Sequence, residues 1–284
     1  MQLILEDLVF DEGKRVTRLA SIAKSLGHEA KIIHALRELP SVDFKSPAIF
    51  YGSINGARRI TKPKFWGKSD DIVMPGIIGE WNNFRCTTYY NHLGPYLLNR
   101  TYVMAPLREI FRMASLYSVM FHSIGESYSD DGLFIRPDDP YKSFTGQLVG
   151  VKEPLDRFMR ANCLFIDEPD KMAVASGMKR ISAEYRLFIK DSEIITGCQY
   201  SREGDSHYVD ALPECLLLYV RLVLDSTSWR PARLWVMDIG VYDGRYSVLE
   251  IGLANCCDLY VCNEELFVRA LLEVALDDWN DSQS

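Results

Sequence analysis

The sequence lacks any apolar run of membrane-spanning length, and its opening, MQLILEDLVFDEGKR, meets acid after five residues, where a secretory leader would carry a basic start and a longer apolar stretch. The chain is therefore expected to be soluble and cytoplasmic, with no membrane partner. No two of its seven cysteines are spaced as C-x-x-C, and they sit in apolar segments such as NCLFI (Cys163) and ECLLLYV (Cys215), which argues against a disulfide framework or a zinc site and for buried reduced thiols. Histidine is scarce: His28, His34, His92, His122 and His207 stand in unrelated contexts, and none is read as a general base. There is no G-x-G-x-x-G, no G-x-x-x-x-G-K-[ST], no H-E-x-x-H and no G-x-S-x-G. Chemistry, if present, is expected to be electrostatic.

What is there is a chain of 284 residues, 48% hydrophobic, enough for a large core divided into two or three lobes. The formal charge of -7 is uneven, with ten Asp or Glu against two Arg from Asp238 onward and fifteen Lys or Arg against eleven acids in residues 1–110. That balance gives no strong nucleic-acid signal and leaves room for an anionic ligand at the basic end. Oligomeric state is not legible.

QLILE reads as a strand, EGKRVTRLASIAKSLG as an amphipathic helix closed by Gly27, and AKIIHA as a second strand. PAIFYGS and DDIVMPG add two more strands, so residues 1–102 are expected to form an open α/β domain. APLREIFRMASLYSVMFHSIG reads as one long helix with Pro106 in its first turn. Residues 103–182 are expected to form a small α+β subdomain with strands GLFIRP, GQLVGV and CLFIDEP around the helix EPLDRFMRA. Residues 183–284 complete the chain, with a strand pair in AEYRLFIKDSEIITGCQYS, a helix over 205–224, the hairpin RLWVMDIGVYDGRYSVLEIG and a final helix capped by Asn263.

Three groups of residues carry chemistry. In GLFIRPDDPYKSFTG, Arg136 and Lys142 precede Thr145 and Gly146; two cations beside a glycine loop suit phosphate, though the same stretch read alone is also a solvated surface hairpin. Its polar residues predict a loop that is mobile until a ligand orders it. Asp238 and Glu250 lie in the two strands of the hairpin, each inside an apolar run, and Asn255 follows. Buried carboxylates need a balancing charge, and an Asp, a Glu and an amide oxygen suit Mg²⁺, while solvent or an arginine would also balance them. Held only by a metal, Asp238 and Glu250 would be replaceable without loss of the ligand-free fold. Glu184 and Arg186 alternate on one strand and so share a face, where they either pair structurally or border a phosphate.

The order of these parts, a strand with a cation, a Thr-Gly loop, CLFIDEP, EYRLFI, VMDIG and VLEIG, resembles the nucleotide-binding half of the ATP-grasp superfamily. It looks closest to a small bacterial and phage clade related to the ligases that add glutamate to ribosomal protein tails, and FYGSING, MPG, FRCTTYY, LGPYLLN and APLREI resemble that clade's preceding domain. The resemblance spans roughly residues 45–262 and implies an α/β protein of ATP-grasp fold, its α+β nucleotide-binding half preceded by an open α/β N-terminal domain. It places Arg136 at the α- and β-phosphates, Lys142, Thr145 and Gly146 over the phosphates, and Asp167 or Glu168 near adenine or ribose. Arg186, after the acidic Glu184, faces the transferred phosphoryl group; Asp238, Glu250 and Asn255 become Mg²⁺ ligands. The sequence departs from the superfamily at Gly252, where an asparagine is usual.

The implied activity is an ATP- and Mg²⁺-dependent carboxylate–amine ligase that forms an amide through an acyl phosphate, with small-molecule or peptide carboxylate and amine substrates. The rival readings are an ATP-binding sensor or scaffold of the same fold without catalysis, and a globular interaction protein.

Overall fold

The computed structural model describes residues 1–7, 14–41, 47–61, 75–162 and 169–284. The N-terminal part is a parallel sheet ordered β2-β1-β3-β4, made of β1 (Gln2–Glu6), β2 (Glu29–Ile33), β3 (Ala48–Tyr51) and β4 (Pro75–Gly76). Helix α1 (Lys14–Ser25) connects β1 to β2 and ends at Gly27, whose φ of 84° lets His28 N–H reach Ala23 C=O and close the helix, as glycine past a helix end is suited to do. Helix α2 (Ile54–Ile60) follows β3 and is capped by the Ser53 side chain. β1 and β3 are buried along their whole length, as strands of a covered parallel sheet must be, which is why they read as unbroken apolar runs. Residues 70–74 of the expected strand DDIVMPG lie outside the described residues.

Next come α3 (Cys86–Leu93), β5 (Tyr102–Pro106), α4 (Leu107–Arg112), α5 (Ala114–Ser123), β6 (Gly132–Pro137), β7 (Gln147–Gly150), α6 (Leu155–Ala161) and β8 (Met172–Ser176). Their strands form an antiparallel sheet ordered β5-β8-β6-β7. The expected single helix over 105–125 is corrected here. Residues up to Pro106 pair with β8 as β5, and the helical remainder breaks at Met113, which leaves helical geometry at ψ 10°. Pairing with a distant strand outweighs the local helical pattern. The expected strand CLFIDEP falls at residues 163–168 outside the described residues, whereas β8, in the small-residue run MAVAS, had carried no strand expectation.

The third part comprises β9 (Ala183–Lys190), β10 (Glu193–Arg202), β11 (Asp205–Val209), α7 (Glu214–Asp225), β12 (Leu234–Tyr242), β13 (Arg245–Leu253) and α8 (Glu264–Gln283). Its antiparallel sheet is ordered β11-β10-β9-β12-β13. The helix expected over 205–224 begins only at Glu214, because Pro213 blocks continuation from upstream, and Asp205–Val209 instead pair with β10 through a turn at Glu203 and Gly204, both with positive φ.

Helix α8, capped by Asn263 accepting from Leu266 N–H, returns to the N-terminal sheet. Its Phe267, Leu271 and Val274 are buried with Leu3, Leu5 and Tyr51, and Phe267 meets the Tyr51 ring edge-on at 5.2 Å. Burial of each such side chain contributes about 1.5–3 kcal/mol, so the last helix fastens the first sheet to the third. The six cysteines among the described residues are free thiols. Among the same residues, no helix is long and apolar enough to cross a membrane.

Candidate active site

The two antiparallel sheets enclose a cavity of about 360 Å³. Strand register decides what enters it. Arg186 on β9 stands opposite Asp238 on β12, which stands opposite Glu250 on β13, so three charged side chains form a row on one sheet face, with Glu184 two residues along the same face. The row depends on a bulge: from the Asp243-Gly244 turn to the Ile239–Val248 pair the hairpin is regular, and Leu249 is then the extra residue that lets Asp238 face Glu250.

Arg186 grips Asp238 with two hydrogen bonds, Nε to Oδ1 at 2.9 Å and Nη2 to Oδ2 at 2.7 Å. Both residues are buried, 7% and 2% exposed. Arg136 donates from Nη2 to Glu250 Oε2 at 2.7 Å and from Nη1 to the bulged Leu249 C=O at 2.9 Å, while Lys142 Nζ lies 3.2 Å from Glu250 Oε1. Burial alone would push the Glu250 carboxyl up, but Lys142, Arg136 and Arg186 together outweigh it and hold the group well below the usual carboxylate range. Asp238 moves the other way: burial raises it, with Arg186 opposing. Glu184 is also raised by burial, against a hydrogen bond donated by Tyr200 Oη at 2.8 Å.

Thr145 and Gly146 line the same cavity. A Cβ on Gly146 would stand 2.9 Å from the Phe134 ring, so glycine lets the loop pass close over β6. The loop expected to be mobile has two anchored points. Phe144 is buried against Phe158 at 5.3 Å between ring centres, and buried Asp138 accepts from Arg85 Nη2 and Thr87 N–H, each at 2.7 Å. Lys142, between these anchors, and Thr145 and Gly146, just past Phe144, remain exposed, and Lys142 has a φ of 50°. The loop thus presents its phosphate-type groups from a pinned base.

Asp167 and Glu168 lie outside the described residues. Asn255 is not brought to the cavity: it is 0% exposed, its Nδ2 donates to Phe50 C=O at 2.6 Å, and its Oδ1 accepts from Ile78 N–H at 2.9 Å. Both ends of the amide are committed to joining the first and third sheets, which corrects its reading as a metal ligand. Gly252, by contrast, shares the face of Glu250 and borders a smaller adjoining pocket with Arg186 and Lys142, where an added Cβ would meet Val236 at an ordinary 3.5 Å.

Several lining residues were not singled out from the sequence. Lys179, whose side chain is 4% exposed, reaches Glu126 at 3.1 Å and Asn99 at 3.3 Å; it lies in the aperiodic link between β8 and β9, where no pattern marks a facing direction. Tyr200 was hidden by a register shift in β10, which spoils counting by twos. Leu98, Phe134, Ile181 and Leu249 add apolar wall.

Asp238, Glu250 and Glu184 form an all-oxygen donor set on one face, and Arg136 Nε is buried with no hydrogen-bond partner among the described residues. These features fit a magnesium phosphate ligand: hard oxygens for the cation, and donors whose carboxylate partners the cation would take over. Among the described residues no group of three or more His, Cys, Asp or Glu is gathered closely enough to hold a metal.

This architecture is the ATP-grasp fold. Across 99% of both chains it matches D-alanine–D-alanine ligase from Bacillus anthracis, with a TM-score of 0.61 at 12% identity. D-cycloserine synthetase DcsG matches with a TM-score of 0.60 and 16% identity over 96% of this chain and 99% of the other. A RimK domain ATP-grasp protein from Sphaerobacter thermophilus DSM 20745 matches with a TM-score of 0.55 and 10% identity over 97% and 100%. Such identities establish the fold alone. Residues 117–270 match the profile of an ATP-grasp domain, family 2 of a RimK-related clade, and the chain belongs to that family. No curated protein matches the sequence.

Proposed function

We propose that the protein is an ATP-dependent carboxylate–amine ligase acting through an acyl phosphate. The observation that carries this is the meeting of Arg136, Lys142 and Arg186 with Asp238 and Glu250 around the cavity between the two sheets and the smaller pocket adjoining it. The base would lie on the apolar wall of Phe134, Ile181 and Leu249, with the phosphates toward Arg136, Lys142, Thr145 and Gly146. A substrate carboxylate oxygen attacks the γ-phosphorus, the bond to ADP breaks, and an amine nitrogen then attacks the acyl carbon and expels phosphate. Arg186 stabilises the charge on the transferred group. Mg²⁺, held by Asp238 and Glu250, would neutralise phosphate charge when bound. No protein nucleophile is required; positioning and exclusion of water from the acyl phosphate suffice.

The test is ADP and phosphate release from Mg-ATP, screened over amino-acid pairs, peptides and cell extract. Release that depends on both a carboxylate and an amine supports the ligase. Tight nucleotide binding with no turnover across the screen supports the second reading, an ATP-binding sensor or scaffold, which is favoured by the structural use of Asn255 and the absence of a side chain at Gly252. Gly252→Asn separates these further. An added Cβ at Gly252 makes only an ordinary contact with Val236, so the variant is expected to fold and, with an amide beside Glu250, to bind Mg-ATP more tightly, read by calorimetry at several Mg²⁺ concentrations.

Arg136→Ala is expected to lower nucleotide affinity by more than about a hundredfold, since it removes two charge-assisted donors worth about 1.5–3 kcal/mol each. Arg136→Lys should retain part of the affinity, keeping the charge without the fork. Equal affinity for wild type and Arg136→Ala would remove Arg136 from the site.

A further inference from the structure

Arg186 has a second set of contacts that the proposed chemistry does not use. Its Nη1 donates to Asp258 C=O at 3.1 Å, and its guanidinium lies 5.0 Å from the centre of the Tyr260 ring and 5.6 Å from that of Tyr200. Those two rings are themselves stacked, 4.8 Å apart and 15° from parallel. The segment that supplies Asp258 and Tyr260 is bent sharply: Tyr260 has a φ of 48°, and its N–H donates to Asp258 Oδ1 at 2.9 Å.

The N-terminal domain holds that bend. Arg15, on α1, pairs through Nη1 with the Asp258 carboxylate and donates from Nη2 to Tyr260 C=O at 2.6 Å. Tyr51, at the end of β3, donates its hydroxyl to Cys257 C=O at 2.8 Å. Arg15 is nearly buried, its side chain 12% exposed, and it also lies 3.4 Å from Glu264.

We infer that Arg15 and Tyr51 are positioning residues for Arg186, acting through the Cys257–Tyr260 bend, so that the N-terminal domain sets the geometry of the arginine that faces the transferred phosphoryl group. The need for this follows from the site. Asp238 is at once Arg186's bidentate partner and a proposed metal ligand, and a carboxylate shared with a divalent cation holds its arginine less firmly. A backbone carbonyl and two aromatic faces are indifferent to the metal and keep the guanidinium in place when Asp238 turns to it. The catalytic role of Arg186 rests on the ligase reading; the relay itself is a property of the folded chain.

The test measures hydrogen exchange of the Arg186 Nε proton by NMR in the ligand-free protein, the resonance being identified by its loss in Arg186→Lys. Arg15→Ala is expected to speed that exchange by about tenfold or more, the consequence of losing a hydrogen bond to a charged group beneath it, with Arg15→Lys intermediate. Tyr51→Phe removes one hydroxyl and is expected to act in the same direction, and it serves if Arg15→Ala does not fold. Arg18→Ala is the control: Arg18 sits one turn along α1 and pairs with Glu264 at 2.7 Å, across the same helix contact but off the bend. It is expected to leave the Arg186 signal unchanged.

A second readout is the ratio of dissociation constants for Mg-ADP and Mg-AMPPNP, which reports contact with the terminal phosphate; it should shrink in Arg15→Ala while Mg-ADP binding stays constant. Unchanged exchange in both Arg15→Ala and Tyr51→Phe overturns the relay, as does an equal effect in Arg18→Ala. Wild-type protein that binds no nucleotide would instead sink the ligase reading, and the exchange comparison then decides the relay by itself.

Discussion

Asp238→Asn is expected to lose both turnover and stability, and the second loss separates it from Glu250→Gln. In the structure Asp238 is 2% exposed and gives both its oxygens to Arg186. The amide keeps one acceptor, turns an NH₂ toward the guanidinium and leaves a buried cation uncompensated, a change that costs about 3–5 kcal/mol in comparable buried pairs. Glu250 is 26% exposed at its side chain, and its partners Arg136 and Lys142 are partly hydrated, so Glu250→Gln is expected to cost about 1 kcal/mol or less. On the ligase reading both variants should reduce ADP formation by about a hundredfold or more, since each removes a carboxylate proposed to hold Mg²⁺. Urea unfolding alongside the turnover assay checks the pair. Equal stability in the two variants would show that the Arg186–Asp238 pair is not the buried clamp described above.

Asn255→Asp should cause a comparable loss of stability with no gain in metal affinity. The residue is fully buried; a carboxylate cannot donate to Phe50 C=O, and the added charge would have no cation in contact, so a loss of about 3 kcal/mol or more is expected. The substitution is informative because the rival role predicts the opposite: an oxygen ligand to Mg²⁺ would be improved by a full negative charge. Thermal unfolding with and without Mg²⁺ reads the result, and a protein of native stability whose unfolding temperature rises steeply with Mg²⁺ would restore Asn255 to the metal site. Asn255→Ala is expected to destabilise too, leaving Ile78 N–H and Phe50 C=O without their partner.

The parts of the site that were legible in the sequence lie on long strands of regular period. Glu184 and Arg186 share a face because they are two residues apart in β9, and Asp238 and Glu250 meet because VMDIG and VLEIG flank a recognisable Asp-Gly turn. Arg136 was legible for the same reason, ending an apolar strand before a proline. What failed was whatever depends on distant partners. Asn255 lies just past a strand, and its side chain is claimed by Phe50 and Ile78, some two hundred residues earlier, which no local pattern records. The expectation that Asp238 could be neutralised at no cost to folding left out Arg186, because the sequence does not say which cation stands opposite it. Tertiary pairing likewise put residues 105–106 and 205–209 into strands where helix is expected from the sequence. The mobility expected of the phosphate loop took no account of Phe144, a single buried apolar residue in a polar stretch.

The bulge at Leu249 makes the length of the β12–β13 hairpin as consequential as its composition. Were one residue inserted between the turn and Glu250, Asp238 would fall opposite Leu249 and Glu250 would swing to the opposite face, among the apolar side chains there, whereas deletion of Leu249 would only remove the bulge and leave Glu250 opposite Asp238. The hairpin should therefore tolerate many substitutions along its outer half, and tolerate residues added in pairs at the Asp243-Gly244 tip, while a single insertion below the tip is expected to abolish the site with little sign in the residues that remain, and a single deletion there to be absorbed by the bulge. A library of one-residue length variants through 239–249, sorted for folded protein and then for nucleotide binding, would separate the two properties: chains that still fold yet have lost the nucleotide would mark the segment where counting, rather than chemistry, constrains the sequence.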